Sequence, residues 1–426
     1  MNSIIQQVKR GGAVRSNVAF LGFNKMTLGL YRDIVAAEND YLPSDMMKVY
    51  NPVNMFSTLG NPLLYSVFTE ESLEHVFLTK EIKSSSRFKT TEIADFDFEN
   101  NYFFDELKMG LNEYELAVVS RNLHSIPSLY AITSHSLFQK ICNDQLEGSY
   151  IFYDDKYFEL RKRLDIFFRA LETAPSSHVN ILVTNDGSYD YDGTVKCLEA
   201  AFALKESIED RFASSHHSFS IKFYNDEQYL CSDIVGTDKV NQGFTELVQE
   251  SIESMPQTNV TLELHTGYKV NRLEQNTATF ENGTVEEFDF LIANPLKSIP
   301  PVFGQIIERD SNESSDLSKG DHWADSFHTD CSVGNSSNIF FSYNSNLSLK
   351  HNYDAVGGEI NKILCTNTIN YFKDLPLVEY DLEEILAETP VKVRVSREKS
   401  LTFTPERAEV NLKPKTFKDR ILSFLS

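Results

Sequence analysis

The apolar positions near the start of the chain follow a strand–helix–strand order. A continuous apolar run at Val18–Leu21 predicts a buried strand, and the helical spacing of Leu28–Glu38 predicts the helix that follows it. A second apolar run, Met46–Tyr50, predicts the next strand. A buried strand that turns into a helix and then into a parallel strand is typical of a nucleotide-binding α/β unit.

A second unit of the same kind occupies the middle of the chain. Asn180–Thr184 and Phe219–Tyr224 are apolar runs that predict strands, and a helical pattern from Val195 to Leu204 connects them. A further helix is predicted at Gly243–Met255. The two units are related to each other, but the sequence shows no solenoid repeat.

Segments of alternating polarity predict antiparallel strands inserted between these units. Residues 92–119 alternate like a hairpin, and residues 260–293 alternate like a meander. Within the meander, Glu281-Asn282-Gly283-Thr284 predicts a type I′ hairpin turn. The fold class predicted is α/β, with two Rossmann-like dinucleotide-binding-type domains, β-meander insertions and a short C-terminal segment.

The turn after the first strand has lost most of its glycines. In the would-be G-x-G-x-x-G, Gly22 is retained, whereas Asn24 and Thr27 stand at the second and third glycine positions. Those glycines normally admit a pyrophosphate and allow close helix packing. At the end of the second strand, where an acidic residue usually binds ribose, the chain has Asn51. These four positions indicate a vestigial cofactor site.

The turn of the second unit contains Gly187 and Gly193 together with three aspartates, at positions 186, 190 and 192. Negative side chains at a helix start repel phosphate. We therefore interpret these aspartates as turn and N-cap residues, and a cofactor loop is the alternative.

Composition narrows the class of protein. The chain has 426 residues, 41% of them apolar, and no apolar run approaches the length of a spanning helix. The net charge of −22 argues against nucleic-acid binding, which needs a basic face. Residues 389–426 differ, because nine basic and four acidic side chains give them +5. The end of this basic segment, 413–426, is predicted either to pack on its own domain as a helix or to contact an acidic partner or, peripherally, an anionic membrane surface.

Cysteine and histidine patterns predict no metal site. The five cysteines are widely spaced and odd in number, which favours a reducing compartment and buried thiols. The ten histidines form no ligand pattern. Hydrolase and P-loop motifs are also missing from the sequence.

Residues 1–16 are basic and free of acidic side chains. They predict either a short mitochondrial presequence or an ordinary basic leader, in which case the location would be cytoplasmic.

The order of these elements, from about 17 to 388, resembles the two-dinucleotide-binding-domain flavoproteins, and within them the sulfide:quinone oxidoreductase branch. Several segments carry the resemblance: Val49-Tyr50-Asn51-Pro52, Gly60-Asn61-Pro62-Leu63-Leu64, Leu264 to Ala293, the Pro-rich 294–302, and Leu375-Pro376-Leu377-Val378 followed by Ile385-Leu386-Ala387-Glu388. The resemblance implies an FAD-type domain at 17–150 and 295–388. It also implies an NAD-type domain at 151–294 and a basic C-terminal segment at 389–426.

The departures from this family fall on its chemistry. The resemblance implies two redox cysteines, and this chain has Leu375 at one position and Ser188, Tyr189 and Asp190 around the other. Cys197 lies within the predicted helix and is expected to be core. The second flavin-binding segment is also altered, with Phe341, Tyr343 and Asn344 in place of two glycines and an aspartate. Ser120-Arg121-Asn122 replaces the family's Ala-Thr-Gly.

Joint loss of these positions predicts a catalytically inactive relative, a pseudoenzyme kept as a structural or interaction subunit of a mitochondrial assembly with protein partners. It predicts no bound cofactor. The first alternative is a divergent FAD-dependent oxidoreductase that reduces a quinone. The second is a binding module for another adenine nucleotide or a lipid.

Overall fold

The computed structural model describes the larger part of the chain. The described residues are 14–22, 25–36, 47–51, 88–91, 93–97, 100–105, 111–120, 149–151, 157–186, 191–230, 238–274, 276–294, 328–333, 336–342, 354–381, 385, 391–396, 399–403 and 408–412. The predicted leader 1–16 lies mostly outside these ranges, and the tail 413–426 lies entirely outside them.

The described residues include the predicted helices and strands in the predicted order, together with elements that were not predicted. The helices are α1 Lys25–Ala36, α2 Tyr157–Thr173, α3 Tyr191–Arg211, α4 Asp238–Glu253 and α5 Asp354–Phe372. The strands are β1 Val14–Leu21, β2 Met47–Asn51, β3 Phe88–Thr90, β4 Ile93–Asp97, β5 Tyr102–Asp105, β6 Leu111–Val119, β7 Ser149–Ile151, β8 His178–Asn185, β9 Ser218–Asn225, β10 Val260–Thr266, β11 Val270–Leu273, β12 Thr277–Phe280, β13 Val285–Glu287, β14 Phe290–Asn294, β15 Ser332–Val333, β16 Ser336–Phe341, β17 Val391–Arg394, β18 Lys399–Phe403 and β19 Ala408–Leu412.

The first sheet has the strand order β15-β16-β6-β1-β2-β3. All neighbours from β16 to β3 are parallel, and β15 is antiparallel to β16. One face buries Phe20 and Val118 with Leu30 of α1 and Leu364 of α5. The other face is covered by the β4–β5 hairpin, which pairs with β6. The segment predicted as a hairpin is therefore three antiparallel strands, the last of which is central to the parallel sheet.

The second sheet, β10-β9-β8-β14-β7, is parallel throughout. The central strands β8 and β14 are buried along nearly their whole length, as expected where both faces of a parallel sheet are covered, whereas the edge strand β10 alternates between buried and exposed positions at its start. The chain leaves β8 on one side toward β9 and returns on the other as β14, so the strand order reverses between β8 and β14. Ligands of open α/β sheets bind at the carboxyl ends of the strands beside such a reversal.

The meander β11-β12-β13 packs on the second sheet through Tyr224 and Phe280, whose ring centroids lie 4.5 Å apart. The predicted type I′ turn is wrong. Gly283 has φ +85 but Asn282 does not have a positive φ. Phe280 N donates to Thr284 O, and Gly283 N donates to Phe280 O, which defines a three-residue loop ending in a left-handed glycine.

The beginning of the basic C-terminal segment forms the antiparallel sheet β17-β18-β19. This sheet packs on the second unit, where Val393 and Leu401 are buried in the core that contains α3. Arg394 N donates to the buried Glu199 carboxylate at 3.1 Å, and Lys399 Nζ donates to Ser251 Oγ at 3.1 Å.

Candidate functional site

The carboxyl edge of the first sheet is where a flavin nucleotide would bind in this architecture. Gly22 follows β1 with φ +76, and its N–H donates to Tyr50 O at 2.7 Å. The left-handed conformation that the nucleotide turn requires is therefore retained. Burial raises the pKa of the neighbouring Tyr50 phenol well above its ordinary value, although its contact with Ser16 opposes this rise.

Thr27 and Asn51, two further described positions of the predicted site, are both buried. Thr27 lies in the first turn of α1, at the third glycine position of the motif. Asn51 ends β2, and its carbonyl accepts from Thr91 N at 2.9 Å. An amide thus stands where a carboxylate would bind ribose, and it supplies no charge.

Phe341 ends β16 with its side chain in the apolar cluster that includes Ala19 and Phe103, on the hairpin face of the sheet. The next residue, Ser342, is buried, and its N–H donates to Val119 O at 3.0 Å. The Ser342 hydroxyl has no hydrogen-bond partner within the described part of the chain. Four further positions of the predicted site, Asn24, Tyr189, Tyr343 and Asn344, lie outside the described residues.

Leu375, which the resemblance to sulfide:quinone oxidoreductases predicts at the position of a redox thiol, is half exposed, with 50% of its surface accessible. It begins an extended segment that α5 fixes through two asparagines. Asn370 O accepts from Leu375 N, and the Asn367 side chain both accepts from Val378 N at 2.7 Å and donates to Val378 O at 2.8 Å. The segment is ordered, but it presents an alkyl side chain where a thiol would react.

The described cysteines do not replace the missing thiols. Cys197 is fully buried in α3, as predicted, with its Sγ 3.7 Å from Thr184 O. Burial, with a smaller contribution from Asp330, raises the pKa of Cys331 above its ordinary range. Burial, and secondarily Asp33, raises the pKa of Cys365 to about 11. A thiol held protonated is a poor nucleophile.

The carboxyl edge of the second sheet carries a chain of hydrogen-bonded asparagines. The strands β14, β8 and β9 end in register at Asn294, Asn185 and Asn225. Asn294 Nδ2 donates to Asn185 Oδ1 at 2.7 Å, and Asn185 Nδ2 donates to Asn225 Oδ1 at 2.7 Å. All three residues are fully buried. We call them the asparagine ladder.

The central residue and one end of the ladder are also hydrogen-bonded to the surrounding structure. Asn185 Nδ2 also donates to Thr194 Oγ1 in the first turn of α3 at 3.1 Å, and Asn225 Nδ2 donates to Glu227 O at 2.9 Å. These hydrogen bonds join the end of β8 to the start of α3 and the end of β9 to the loop that follows it. In this fold a dinucleotide would lie between these elements. Within the described residues, Asn294 Oδ1 is the ladder atom that lacks a partner.

Asp186 follows the ladder directly and is almost completely buried. Its carboxyl oxygen accepts from Val270 N of the meander at 3.0 Å. It therefore joins the second sheet to the meander instead of acting locally as the predicted turn residue. Burial raises its pKa to about 8; the Val270 hydrogen bond and Lys269 lower it, and Asp226 and Glu281 raise it further.

The sequence analysis did not identify the ladder. The signal was present, because each of three predicted strands is followed directly by an asparagine. Parallel pairing of those strands was required before the three could be placed side by side.

Two negative findings hold for the described residues. No group of His, Cys, Asp or Glu side chains is arranged to hold a metal ion. None of the described helices combines the length and the apolar character needed to cross a membrane.

Comparison with solved structures finds a similar architecture in several known proteins. Putidaredoxin reductase, in its covalent complex with putidaredoxin, is similar with a TM-score of 0.55 and 11% identity, over 92% of this chain and 82% of that chain. Reduced Bacillus anthracis CoADR-RHD is similar with a TM-score of 0.54 and 11% identity, over 96% of this chain and 63% of that chain. The chain therefore has the α/β fold of FAD- and NAD(P)-dependent oxidoreductases, which confirms the predicted fold class. The sulfide:quinone branch stays a prediction.

A third similar structure comes from a large assembly. A chain in the cryo-EM structure of the Tetrahymena thermophila mitochondrial ATP synthase, an F1Fo composite tetramer, matches with a TM-score of 0.57 and 11% identity. The match covers 97% of this chain and 93% of that chain. No family model matches this sequence, and no curated protein matches it.

Proposed function

We propose that this protein is a non-catalytic relative of the FAD- and NAD(P)-dependent oxidoreductases, acting as a structural subunit of a mitochondrial assembly. The observation that carries the proposal is the asparagine ladder. Side-chain donors and acceptors of the asparagines that end β14, β8 and β9 bind one another and Thr194, so the described residues of this edge offer a dinucleotide few free polar groups. A fold can persist after its site has been converted to packing.

The thiol positions support the same proposal. Electron transfer through a disulfide needs two thiols beside the flavin, and Leu375 supplies an exposed alkyl side chain at one of those positions. The buried Cys197 and Cys331 lie in packed surroundings that keep them unreactive.

The nearly end-to-end match to a chain of the Tetrahymena mitochondrial ATP synthase supports the assembly part of the proposal, because it offers a precedent for this fold inside a mitochondrial complex. The acid-free leader 1–16 points to the same compartment.

An absorbance spectrum of the natively purified protein tests the loss of chemistry. We expect no flavin bands and no FAD after acid precipitation, checked by mass spectrometry. Stoichiometric FAD would overturn the proposal.

Size-exclusion chromatography of a detergent extract of mitochondria tests the structural part of the proposal. We expect the protein to elute far above the mass of one chain. Elution as a free monomer would contradict it.

The second candidate is a divergent FAD-dependent oxidoreductase that reduces a quinone. Two observations at the first sheet favour it: Gly22 keeps the left-handed turn, and the buried Ser342 hydroxyl has no partner among the described residues, so a ligand could supply one. If FAD binds, the turn at Gly22 and the ends of β2 and β16 would hold it. A yellow protein that reduces a soluble quinone would establish this candidate.

A further inference from the structure

The helix α2 has an outer face that its own fold does not use. Its inner face is formed by Leu160, Leu164 and Phe168, which are buried in the core. On the opposite side, Lys162, Ile166 and Arg169 follow one another at intervals of four and three residues and are exposed. We call these three residues the α2 stripe.

Ile166 stands at the centre of this solvent face with 62% of its surface accessible. It exceeds the other exposed large apolar side chains, Val285, Leu375, Val378 and Val35. A β-branched residue is also less favourable in a helix than the unbranched residues usual on such a face. Neither packing nor helix propensity therefore accounts for Ile166.

The charges around Ile166 are uneven. Arg211 and Arg161 together neutralise the two acidic neighbours. Arg211 Nε lies 2.7 Å from Glu172 and its Nη1 lies 3.4 Å from Asp165, and Arg161 Nε lies 3.9 Å from Asp165. Lys162 and Arg169 form no ion pair with any residue that the structure describes. The stripe is thus an apolar centre between two unpaired cations, on a chain whose net charge is −22.

We propose that the α2 stripe docks an acidic protein segment of a neighbouring subunit, with carboxylates meeting Lys162 and Arg169 around an apolar contact with Ile166. This inference rests on the proposed function. Charge complementarity selects the partner, because two symmetric copies of the stripe would bring like charges together. A bilayer surface fits less well, because interfacial helices insert a broad apolar face and the inner face of α2 is already buried.

Site-specific photo-crosslinking in the native assembly tests the proposal. A benzoylphenylalanine replaces Ile166 in the tagged full-length chain, and cross-linked peptides are identified by mass spectrometry. The matched control carries the same group at Val285, which is 59% exposed but lies beside Glu286 and Glu287. We expect position 166 to capture an Asp/Glu-rich peptide of another subunit and position 285 not to capture that peptide.

The double variant Lys162→Glu, Arg169→Glu should lower recovery of that subunit roughly tenfold, because like charges then oppose. Lys362→Glu, on the exposed side of α5, should leave recovery unchanged. An intact assembly in which position 166 captures lipid, its own chain, or a peptide without acidic residues would overturn the docking proposal and leave the proposed function standing. Elution of the chain as a monomer would contradict both the docking proposal and the proposed function.

Discussion

Asn185 donates a side-chain hydrogen bond to Asn225 across two parallel strands, with Nδ2 and Oδ1 separated by 2.7 Å. Both residues end their strands and both are fully buried. Asn185 simultaneously accepts from Asn294, so it is the central member of the ladder. Its amide occupies the edge where this fold otherwise receives a coenzyme, and it stabilises the sheet there.

The first prediction concerns the stability that this central amide provides. Asn185→Ala removes the acceptor of Asn294 Nδ2 and the side-chain donor to Asn225 Oδ1, and we expect the free energy of unfolding to fall by about 2–4 kcal/mol. Urea denaturation followed by circular dichroism measures the change. Asn271→Ala, at an exposed position of β11, is the control and should change stability by less than about 0.5 kcal/mol. Equal stability of Asn185→Ala and wild type would contradict a structural role for the ladder.

The second prediction concerns pH. The pKa of Asp186 is about 8 in the folded chain and 3.8 for an ordinary aspartate. The folded state therefore keeps a proton that the unfolded state loses between about pH 4 and pH 8. The stability that this proton provides is complete below pH 4 and is lost as the pH rises to 8, with a slope of up to about 1.4 kcal/mol per pH unit.

Asp186→Asn keeps an oxygen for Val270 N but cannot ionise. We expect its stability to exceed that of the wild type increasingly from pH 5 to pH 8.5 in urea titrations. Asp186→Ala also removes the titrating group, but it orphans the Val270 N–H and should lose about 1–3 kcal/mol at every pH relative to Asp186→Asn. Parallel profiles of Asp186→Asn and wild type would contradict the raised pKa.

The sequence predicted the main elements because their apolar residues form continuous runs or recur at helical spacing. The predicted strand Asn180–Thr184 extends by two residues to the observed start at His178 and by one to Asn185. The predicted helix Leu28–Glu38 is observed as Lys25–Ala36. The exact first and last residues of a helix depend on capping contacts, which a periodic apolar pattern does not specify. Burial of Cys197 was predicted correctly because it lies on the inner face of a long helix.

Other features depended on contacts between distant parts of the chain. Asp186 bonds to Val270, 84 residues away, and a local pattern could indicate only a turn. The type I′ turn failed because Asn-Gly also suits a three-residue loop, and the pairing of Phe280 with Thr284 decides between the two. The C-terminal strands β17–β19 were missed since their apolar faces are short and depend on the second unit for burial.

The third prediction concerns the vacant thiol position. Leu375→Cys places a half-exposed thiol on the ordered segment after α5, and it should alkylate with iodoacetamide at pH 8 within minutes. In the same folded sample, Cys197 and Cys331 should stay unmodified because burial excludes the reagent and raises the pKa of Cys331. Mass spectrometry of tryptic peptides compares the sites.

The Leu375→Cys variant should gain no sulfide oxidation, because a single thiol without a partner cannot form the disulfide that such chemistry needs. Labelling of Cys197 in urea provides the control for peptide detection. Rapid labelling of Cys197 or Cys331 in the folded protein would contradict their placement in the core.

The fourth prediction compares two glycines of different backbone conformation. Gly283 has φ +85, and Gly29 lies within α1 with no atom within 4 Å of an added Cβ. Gly283→Ala forces a left-handed conformation on an L-residue and should cost about 1–2 kcal/mol. Gly29→Ala improves helix propensity and should stabilise the chain by about 0.5–1 kcal/mol. Thermal unfolding of the two variants beside the wild type gives shifts of opposite sign, whereas shifts of the same sign would contradict either the hairpin loop or the open surroundings of Gly29.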